Sequence, residues 1–253
     1  MNEQPLEMLD SAQAISLFMN ETELVDDISA IERSFESTLR TIGVEHYLYL
    51  YLHVPFTHSE PPAVVSNLSE KWIQRYIGDG LYLYDPVLQV ALRDVVPLDW
   101  SDLQRRHNLS ASELQVLEES ERHGYAGGLA VPVMGPGPCR AILNLPRTNG
   151  SAHQKVSGAQ MNSCHLLALH FHSRVRPLLS KGDDSTEDFK ITRRELECVL
   201  WAARGKTSWE TAVILNISEA TVNFHLTNAM KKLRVFSRAH AIAKAVGLGL
   251  IYV

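Results

Sequence analysis

Several features that would mark a membrane, secreted or redox protein are missing from this sequence. No apolar run approaches the roughly 20 residues that a membrane-spanning helix needs. The first five residues do not open the basic and apolar pattern of a signal peptide. Cysteine is scarce, since only Cys139, Cys164 and Cys198 are present, far apart and odd in number. Such usage indicates a reducing compartment without a disulfide framework, so we expect a cytoplasmic protein that does not contact a membrane.

Motifs for metal binding and catalysis are also missing. The sequence has no CxxC or HxxxH pair. His165, His170 and His172 share one predicted helix, but no carboxylate or cysteine ligands accompany them at metal-site spacing. Ser163 and Cys164 have no evident base arranged beside them, which argues against a nucleophile. These absences favour a binding protein without a resident cofactor over an enzyme.

What the sequence does contain is an uneven charge. Residues 190–253 carry ten Lys or Arg and four Asp or Glu, whereas residues 1–189 carry 14 and 25. A small basic module behind a larger acidic one is typical of a nucleic-acid-binding domain attached to a sensing domain. The charge changes sign at the polar segment 180–189, which has no apolar periodicity. We therefore predict a sensing domain over 1–179, a linker over 180–189 and a basic domain over 190–253.

The pattern before the linker combines helices and strands. Residues 10–42 predict one amphipathic helix, in which Leu24 begins an apolar stripe that recurs every three or four positions. Short segments rich in β-formers predict strands, and longer periodic segments predict further helices. The strands are 47–52, 128–133 and 140–145, with a turn at 135–138, and the further helices are 111–123 and 156–179. Strands between helices predict an α+β fold, with an antiparallel sheet in an α-β-α sandwich.

Two capping boxes mark the starts of helices in the basic domain. Thr192 and Thr207 each precede a glutamate by three residues, so a hydroxyl and a carboxylate can satisfy the free amides of a helix start. Breaks at 203–206 and 215–217 end the first and second helices, and a third helix runs from Ser218 to about residue 233. Two helices joined by so tight a turn predict a helix-turn-helix unit.

The third helix divides into an apolar and a polar face. The apolar stripe consists of Val222, Leu226, Ala229 and Leu233. Asn223, Thr227 and Lys231 recur every four residues on a separate stripe. Asparagine can read adenine with two hydrogen bonds and threonine can reach base edges or methyl groups, so this stripe suits the major groove of double-stranded DNA. Flanking residues are predicted to contact the DNA backbone, together with Lys231: Lys206, Thr207, Lys232, Arg234 and Arg238.

The basic domain resembles the DNA-binding domain of LuxR-type regulators. The match extends from Thr192 to Ile251 and is densest over 217–225. The resemblance implies a small all-α domain of four helices, whose last helix, 237–248, makes a dimer contact. An apolar stripe on that helix is compatible with the contact, although core packing explains it equally well: Ala241, Ala245 and Leu248. The family has an aliphatic residue at Thr211, so we expect a softened second helix in the same fold.

LuxR-type DNA-binding domains occur behind several kinds of sensor. A phosphoacceptor receiver needs an acidic pair directly after an apolar strand, a later Asp after another strand, and a late Lys. Here Asp26 and Asp27 lie in a predicted helix, and no suitable later Asp ends a strand. The sequence therefore argues against a receiver.

The quorum-sensing branch of the family fits the N-terminal domain better. Its acyl-homoserine-lactone pocket is marked by a Trp-xxx-Tyr pair, an Asp-Pro pair and another Trp. This sequence has them, at the family's spacing, as Trp72, Tyr76, Asp85 with Pro86, and Trp100. The resemblance implies that Asp85 accepts the ligand amide N–H and that Trp72 donates to the lactone carbonyl, while Tyr76 and Trp100 pack against the tail and ring. Leaving Asp85 buried without this ligand partner would cost about 1–3 kcal/mol or more, which gives the ligand a route to stabilise the domain.

Further positions complete the predicted pocket and show where it departs from the family. Gly128 falls where the family has a glycine before a pocket-lining strand, and Val87 lies beside the Asp-Pro pair. Leu68 replaces a tyrosine whose hydroxyl contacts the acyl carbonyl, and Asn144 replaces a serine or threonine. The lactone end is retained, but recognition near the acyl carbonyl must differ. This predicts an unusual acyl or aroyl group, or a weakened response.

Taken together, these patterns predict a homodimeric transcriptional regulator whose small-molecule signal is an N-acyl-homoserine lactone of quorum sensing. Its other partners would be an inverted-repeat site in double-stranded DNA and, as a candidate, RNA polymerase. Two alternatives stay open. One is a regulator of the same fold that takes a different small molecule or no ligand. The other is an enzyme such as a lactone hydrolase, for which the sequence offers no paired carboxylates and no nucleophile–base motif.

Overall fold

The computed structural model describes residues 10–53, 61–103, 108–134, 139–148, 150, 156–179 and 190–252. Within this part the chain forms two compact units, which divide between residues 179 and 190; each is described by itself. The turn predicted at 135–138 and the linker predicted at 180–189 lie outside the described residues. Across the ranges described, no helix combines the length and the apolar character needed to cross a membrane.

Two helices begin the first unit. Helix α1 spans Ser11–Thr22 and α2 spans Ile28–Thr41, so the single helix predicted over 10–42 is wrong. Asp27 separates them, because its carboxylate accepts hydrogen bonds from two amides in the first turn of α2 and so caps a new helix. Leu24, predicted on the apolar face, lies in the connection and is 92% exposed.

A five-stranded sheet forms the middle of the first unit. Its strands are β1 (Leu48–His53), β2 (Ala63–Ser66), β3 (Leu98–Asp99), β4 (Tyr125–Met134) and β5 (Cys139–Thr148). The order across the sheet is β2-β1-β5-β4-β3, and every neighbouring pair is antiparallel. The three predicted strands are confirmed. Strands β2 and β3 were not predicted, because they are too short to carry a clear alternation.

Helices cover both faces of this sheet, which confirms the α-β-α arrangement. Side chains alternate along β1, so that Tyr49 and Tyr51 join a core with α1, α2 and α6 (Gly158–Leu179), whereas Leu48 and Leu50 join a second core on the opposite face. The helices of that second core are α3 (Glu70–Ile73), α4 (Pro86–Ala91) and α5 (Ala111–Arg122). The pocket described below lies in this second core.

Four helices form the second unit: α7 (Arg193–Ala203), α8 (Ser208–Leu215), α9 (Glu219–Lys232) and α10 (Arg238–Gly247). Both predicted capping boxes are present, at Thr192 and Thr207. Asn216 ends α8 in the left-handed conformation, with a φ of 54°. Thr211 is buried and its hydroxyl donates to the carbonyl of Thr207 at 2.8 Å, so α8 accommodates this departure from the family without an unpaired polar group.

The core of the second unit contains the predicted apolar stripe of α9. Val222, Leu226, Ala229 and Leu233 are all buried. Ala241 and Ala245 of α10 are buried in the same cluster, and Leu248 packs against it. Ala241 and Ala245 therefore pack inside the unit, whereas Leu248 stays partly exposed, and the dimer contact of this helix stays a prediction.

Candidate ligand pocket and nucleic-acid interface

Helix α3 places two aromatic residues of the predicted pocket together. Ser69 caps the helix, because its hydroxyl accepts the amide of Trp72 at 3.3 Å. The chain then continues as a π-helical turn, Gln74–Gly78, a geometry that is frequent at functional sites. Trp72 and Tyr76 are both buried, and their ring centroids lie 5.2 Å apart.

Asp85 is the buried carboxylate of this region. Pro86 occupies the first turn of α4, and the Asp85 side chain caps that helix by accepting the amide of Val87 at 2.8 Å. The hydroxyl of Tyr76 donates to the other carboxylate oxygen. Asp85 therefore has hydrogen-bond donors within the protein, which lowers the cost of burying it without a ligand. Tyr76, which the resemblance placed against the ligand tail and ring, is a hydrogen-bond donor to Asp85.

Burial governs the protonation of this pair. Loss of solvent raises the pKa of Asp85 to about 6, even though hydrogen bonds from Tyr76 and from the amides of Val87 and Leu88 favour the carboxylate. The pKa of Tyr76 is raised well above its ordinary value by burial and by the neighbouring Asp85 charge. Near neutral pH, Asp85 is thus a shielded acceptor that takes up a proton easily when the pH falls.

Gly128 explains how Trp100 reaches the pocket. A Cβ atom at this position of β4 would lie 2.7 Å from the carbonyl oxygen of Leu145, 2.9 Å from Cα of Pro146 and 3.2 Å from Cε2 of Trp100. The absence of a side chain therefore allows the indole to pack across the strand. The indole nitrogen of Trp100 is buried and has no hydrogen-bond partner.

Asn144 lies on the same face of the sheet. It is located on β5, paired with Leu48 of β1 on one side and with Ala130 of β4 on the other. Its side chain is almost completely buried, and its Oδ1 atom accepts no hydrogen bond. Buried polar atoms are nearly always paired in folded proteins. The unpaired Oδ1 atom of Asn144 therefore indicates a hydrogen-bond donor that the protein itself does not supply.

Seven of the eight predicted ligand residues line one cavity, Gly128 being the exception. The cavity has a volume of about 20 Å³, enough for about one water molecule. Pockets for small molecules usually measure about 300–1,000 Å³. A signal molecule can therefore enter only if side chains around the cavity move apart.

Sequence reasoning missed six further residues that line this cavity: Leu48, Val116, Leu117, Ser120, Tyr125 and Pro146. The alternation of β1 could have indicated Leu48, since it shares a strand face with Leu50. The residues from α5, Val116 and Ser120 among them, carry no local signal, because their place depends on how that helix packs against the sheet.

A larger cavity, of about 360 Å³, lies on the opposite face of the sheet. Its lining includes Leu129, Leu145 and Cys164 of the first core together with Arg147, whose guanidinium is paired with Asp99 at 3.2 Å. It contains none of the predicted ligand residues. The smaller cavity is the better candidate, because it contains seven of the eight predicted ligand residues, among them the buried carboxylate of Asp85.

The histidines singled out in the sequence do not form a metal site. His172 is buried, its Nδ1 atom shares a hydrogen bond of 2.8 Å with the hydroxyl of Tyr49, and burial lowers its pKa to about 4. Over the residues that the structure covers, no group of three His, Cys, Asp or Glu side chains could hold a metal ion. His172 therefore packs against Tyr49 of the first core.

Helix α9 presents the predicted polar stripe to solvent. Asn223, Thr227 and Lys231 are exposed on this 14-residue helix. The hydroxyl of Thr227 donates to the carbonyl of Asn223 at 2.8 Å, which leaves its oxygen and methyl group for an external contact. Phe224, which sequence reasoning missed, is 61% exposed beside Asn223. The face combines amide, hydroxyl, ammonium and aromatic groups within three helical turns.

Several flanking residues have partners inside the unit. The ammonium of Lys232 contacts both carboxylate oxygens of Glu195, at 2.9 and 2.7 Å, and the carbonyl of Lys190 at 3.1 Å. Lys206 pairs with Glu210 at 3.2 Å, and the hydroxyl of Thr207 caps α8. Lys232, Lys206 and Thr207 therefore have partners within the unit, and their contacts with the DNA backbone stay predictions.

Arg238 belongs to a hydrogen-bonded chain that ends on the polar stripe. Its guanidinium donates to the carbonyl of Lys206 at 2.6 Å and to the hydroxyl of Ser208 at 3.4 Å, and Ser208 donates to Oδ1 of Asn223 at 2.7 Å. A guanidinium can only donate, so the single hydroxyl proton of Ser208 points to Asn223. This chain orients the Asn223 amide, and the sequence alone gave no sign of it.

Comparison with known proteins bears on both units. The Autoinducer binding domain profile matches residues 27–175, and the profile for bacterial regulatory proteins of the luxR family matches residues 190–245. The transcriptional activator protein AnoR of Acinetobacter nosocomialis is 30% identical over 96% of this chain and 98% of its own length. The putative HTH-type transcriptional regulator y4qH of Sinorhizobium fredii is 34% identical over 74% of this chain, which spans only 56% of that relative.

A solved structure has a similar fold. Escherichia coli SdiA in complex with octanoyl-rac-glycerol superposes with a TM-score of 0.73 at 24% identity, covering 100% of this chain and 99% of its own. At this identity the likeness concerns the fold alone.

Proposed function

Because the chain belongs to the LuxR family of autoinducer-binding transcriptional regulators, we propose that it responds to an N-acyl-homoserine lactone and binds an inverted-repeat promoter site as a homodimer in the cytoplasm. The named relatives are transcriptional regulators, so the carboxylate in the pocket serves binding and not hydrolysis. RNA polymerase is the partner that such a regulator would act on.

The polar atoms of the small cavity support the choice of ligand. An acyl-homoserine lactone has one amide N–H, two carbonyl oxygens and an apolar tail. Asp85 offers a shielded acceptor for the N–H, and the unpaired indole N–H of Trp100 offers a donor for a carbonyl. Apolar neighbours such as Leu68 and Val87 offer walls for the tail. By the family pattern, Trp72 donates to the lactone carbonyl.

We expect acyl-homoserine lactones to stabilise the full-length protein against heat. A ligand at 100 times its dissociation constant adds about 2.7 kcal/mol to the free energy of unfolding, which raises the Tm of a unit of this size by about 5–10 °C. A thermal-shift assay with lactones of four to fourteen acyl carbons measures this directly. Homoserine lactone without an acyl group is the control, and the absence of a shift with every member of the panel contradicts the proposal.

The exposed face of α9 supports recognition of DNA in the major groove. Asn223 and Thr227 are the proposed base-reading residues, and Lys231 and Arg234 are the proposed phosphate contacts, since all four are exposed. Arg238 acts indirectly through Ser208. In a dimer, two such helices would meet half-sites about one helical turn apart, or a multiple of that distance.

Two substitutions on α9 should have different effects on DNA binding. Asn223→Ala is expected to reduce the preference for a selected site over random duplex by about 5- to 150-fold, because it removes about 1–3 kcal/mol of base discrimination. Lys231→Ala is expected to weaken binding to both duplexes and to lower the salt dependence by about one counterion. The site is first selected from a randomised library, and both variants are titrated by fluorescence anisotropy. Equal weakening of both duplexes by Asn223→Ala would show that α9 does not read bases there.

A signal without a lactone ring is the second candidate. The cavity is small, and Leu68 lacks the hydroxyl that the family pattern directs at an acyl carbonyl. SdiA, the solved relative in fold, is seen with octanoyl-rac-glycerol. Including this monoacylglycerol in the thermal-shift panel separates the candidates: stabilisation by it alone favours the second.

A further inference from the structure

Among the polar groups that line the small cavity, Asn144 presents an acceptor without a donor, and the indole nitrogen of Trp100 is a donor without an acceptor. The Tyr76 hydroxyl donates to Asp85, Asp85 also accepts the Val87 amide, and the Ser120 hydroxyl donates to the carbonyl of Tyr125 at 2.8 Å. Each of these groups is held by the protein itself. Oδ1 of Asn144 is buried in the same cavity with no donor. An acceptor left without a donor in such a place destabilises the folded protein.

A plain acyl-homoserine lactone cannot remove this penalty. This step rests on the proposed function. The amide N–H is the only hydrogen-bond donor of such a ligand, and Asp85 is its acceptor by the family pattern. The remaining polar atoms of the ligand are oxygens without hydrogen, which accept only. A chain with a ketone at its third carbon adds another acceptor, so Oδ1 of Asn144 would still have no donor.

A hydroxyl on the acyl chain supplies the hydrogen-bond donor that Oδ1 of Asn144 lacks. A primary amide presents an acceptor and a donor from the same carbon atom. A 3-hydroxyacyl group presents a carbonyl oxygen and, two carbons away, a hydroxyl, which is the complementary pair at a similar spacing. The acyl carbonyl also needs a donor here, because Leu68 cannot provide one. The structure thus points to a signal with a hydroxyl at the third acyl carbon, and we propose that Asn144 selects it with both ends of its amide.

The test compares three kinds of lactone, matched in chain length and each made at several lengths, on the full-length protein. Their acyl groups are unsubstituted, 3-oxo or 3-hydroxy, the last as both separate enantiomers. Dissociation constants follow from tryptophan fluorescence, because Trp72 and Trp100 line the cavity. We expect the better 3-hydroxy enantiomer to bind about tenfold tighter than the unsubstituted lactone, which corresponds to about 1.4 kcal/mol, and tighter than the 3-oxo lactone.

The same titrations on Asn144→Leu tie this preference to the residue. Leucine has a similar volume without polar atoms, so every lactone loses the donor to its acyl carbonyl and binds more weakly. The 3-hydroxy lactone also loses the acceptor for its hydroxyl, so its preference over the unsubstituted lactone should fall below about twofold. Asn144→Ala, which fits the strand without added bulk, replaces it if the leucine variant does not fold. Preference that persists in the folded variant overturns the inference.

The outcomes separate this inference from the proposed function. If all three lactones bind the wild-type protein equally, or if the unsubstituted one binds best, the selection by Asn144 is wrong and lactone sensing stands. If none of them binds, lactone sensing and the selection fail together. If the hydroxyl is preferred and Asn144→Leu removes the preference, both are supported.

Discussion

Replacement of Asp85 by asparagine is expected to weaken lactone binding by about 100-fold while the protein stays folded. The variant loses a charge-assisted hydrogen bond to the ligand N–H in a buried site, where such bonds are strongest. Its single amide oxygen must also serve the Tyr76 hydroxyl and the Val87 amide, which occupy the two carboxylate oxygens of the wild type. Fluorescence titration measures the loss, and a change below about threefold would show that Asp85 does not bind the ligand.

The pH dependence of binding gives an independent check on this residue. Burial raises the pKa of Asp85 to about 6, and a ligand that donates an N–H needs the carboxylate. Below pH 6 the proton must leave before the ligand binds, so affinity should fall by up to about tenfold per pH unit between pH 6 and 5. Above about pH 7 the affinity should be constant, because Asp85 is then almost fully ionised. The matched control is Asp85→Asn, in which this slope is absent.

Stability without ligand should change in the opposite direction. Between about pH 4 and 6 the folded protein retains a proton on Asp85 that the unfolded chain has already released. The free energy of unfolding therefore falls as the pH rises through this window, by at most about 3 kcal/mol from this group. Asp85→Asn lacks this contribution. The difference between the two unfolding curves isolates it from the other titrating groups.

The second large effect concerns Lys232. Substitution by methionine is expected to destabilise the DNA-binding unit by about 2–3 kcal/mol, because it leaves the buried Glu195 carboxylate without its cation. Burial alone would push the pKa of Glu195 up, and the hydrogen bonds from Lys232 and Thr192 outweigh it and hold that pKa below its ordinary value. Hydrogen exchange followed by mass spectrometry should show the amides of α7 and α9 exchanging on the order of 100-fold faster.

Lys231 provides the matched control, since it is the adjacent residue of α9 but is exposed. Lys231→Met should leave hydrogen exchange unchanged and weaken DNA binding. The two variants thus separate a stabilising lysine from a DNA-contacting one. If Lys232→Met kept normal exchange and lost only DNA affinity, the phosphate contact predicted from the sequence would be the correct interpretation.

Local patterns in the sequence predicted much of the fold. Capping boxes at Thr192 and Thr207, and the four-residue spacing on α9, depend on neighbours within one helical turn, and both are present. The single helix predicted over 10–42 was wrong for a related reason. Its apolar periodicity continues through Leu24, but Asp27 offers the backbone a cap that competes with a continuous helix.

The contacts that could not be predicted from the sequence join residues far apart along the chain. Lys232 reaches Glu195 across 37 positions, so its role depends on how α9 packs against α7. The spacing of Tyr76 from Trp72 matches the family, and it led us to predict that Tyr76 packs against the ligand. The backbone turn that brings the Tyr76 hydroxyl to Asp85 cannot be predicted from that spacing. The resemblance identified which residues meet in the pocket but not which of them bond to each other.

Gly128 has a practical consequence for engineering this protein as a biosensor. The indole of Trp100 crosses the strand only because no atom occupies the Cβ position, and two of the nearest atoms belong to rigid backbone. Mutant libraries that seek a new inducer should therefore keep this codon fixed and diversify side chains that can move, such as Leu68 and Leu117. Randomising residue 128 would fill such a library with variants in which Trp100 can no longer line the cavity.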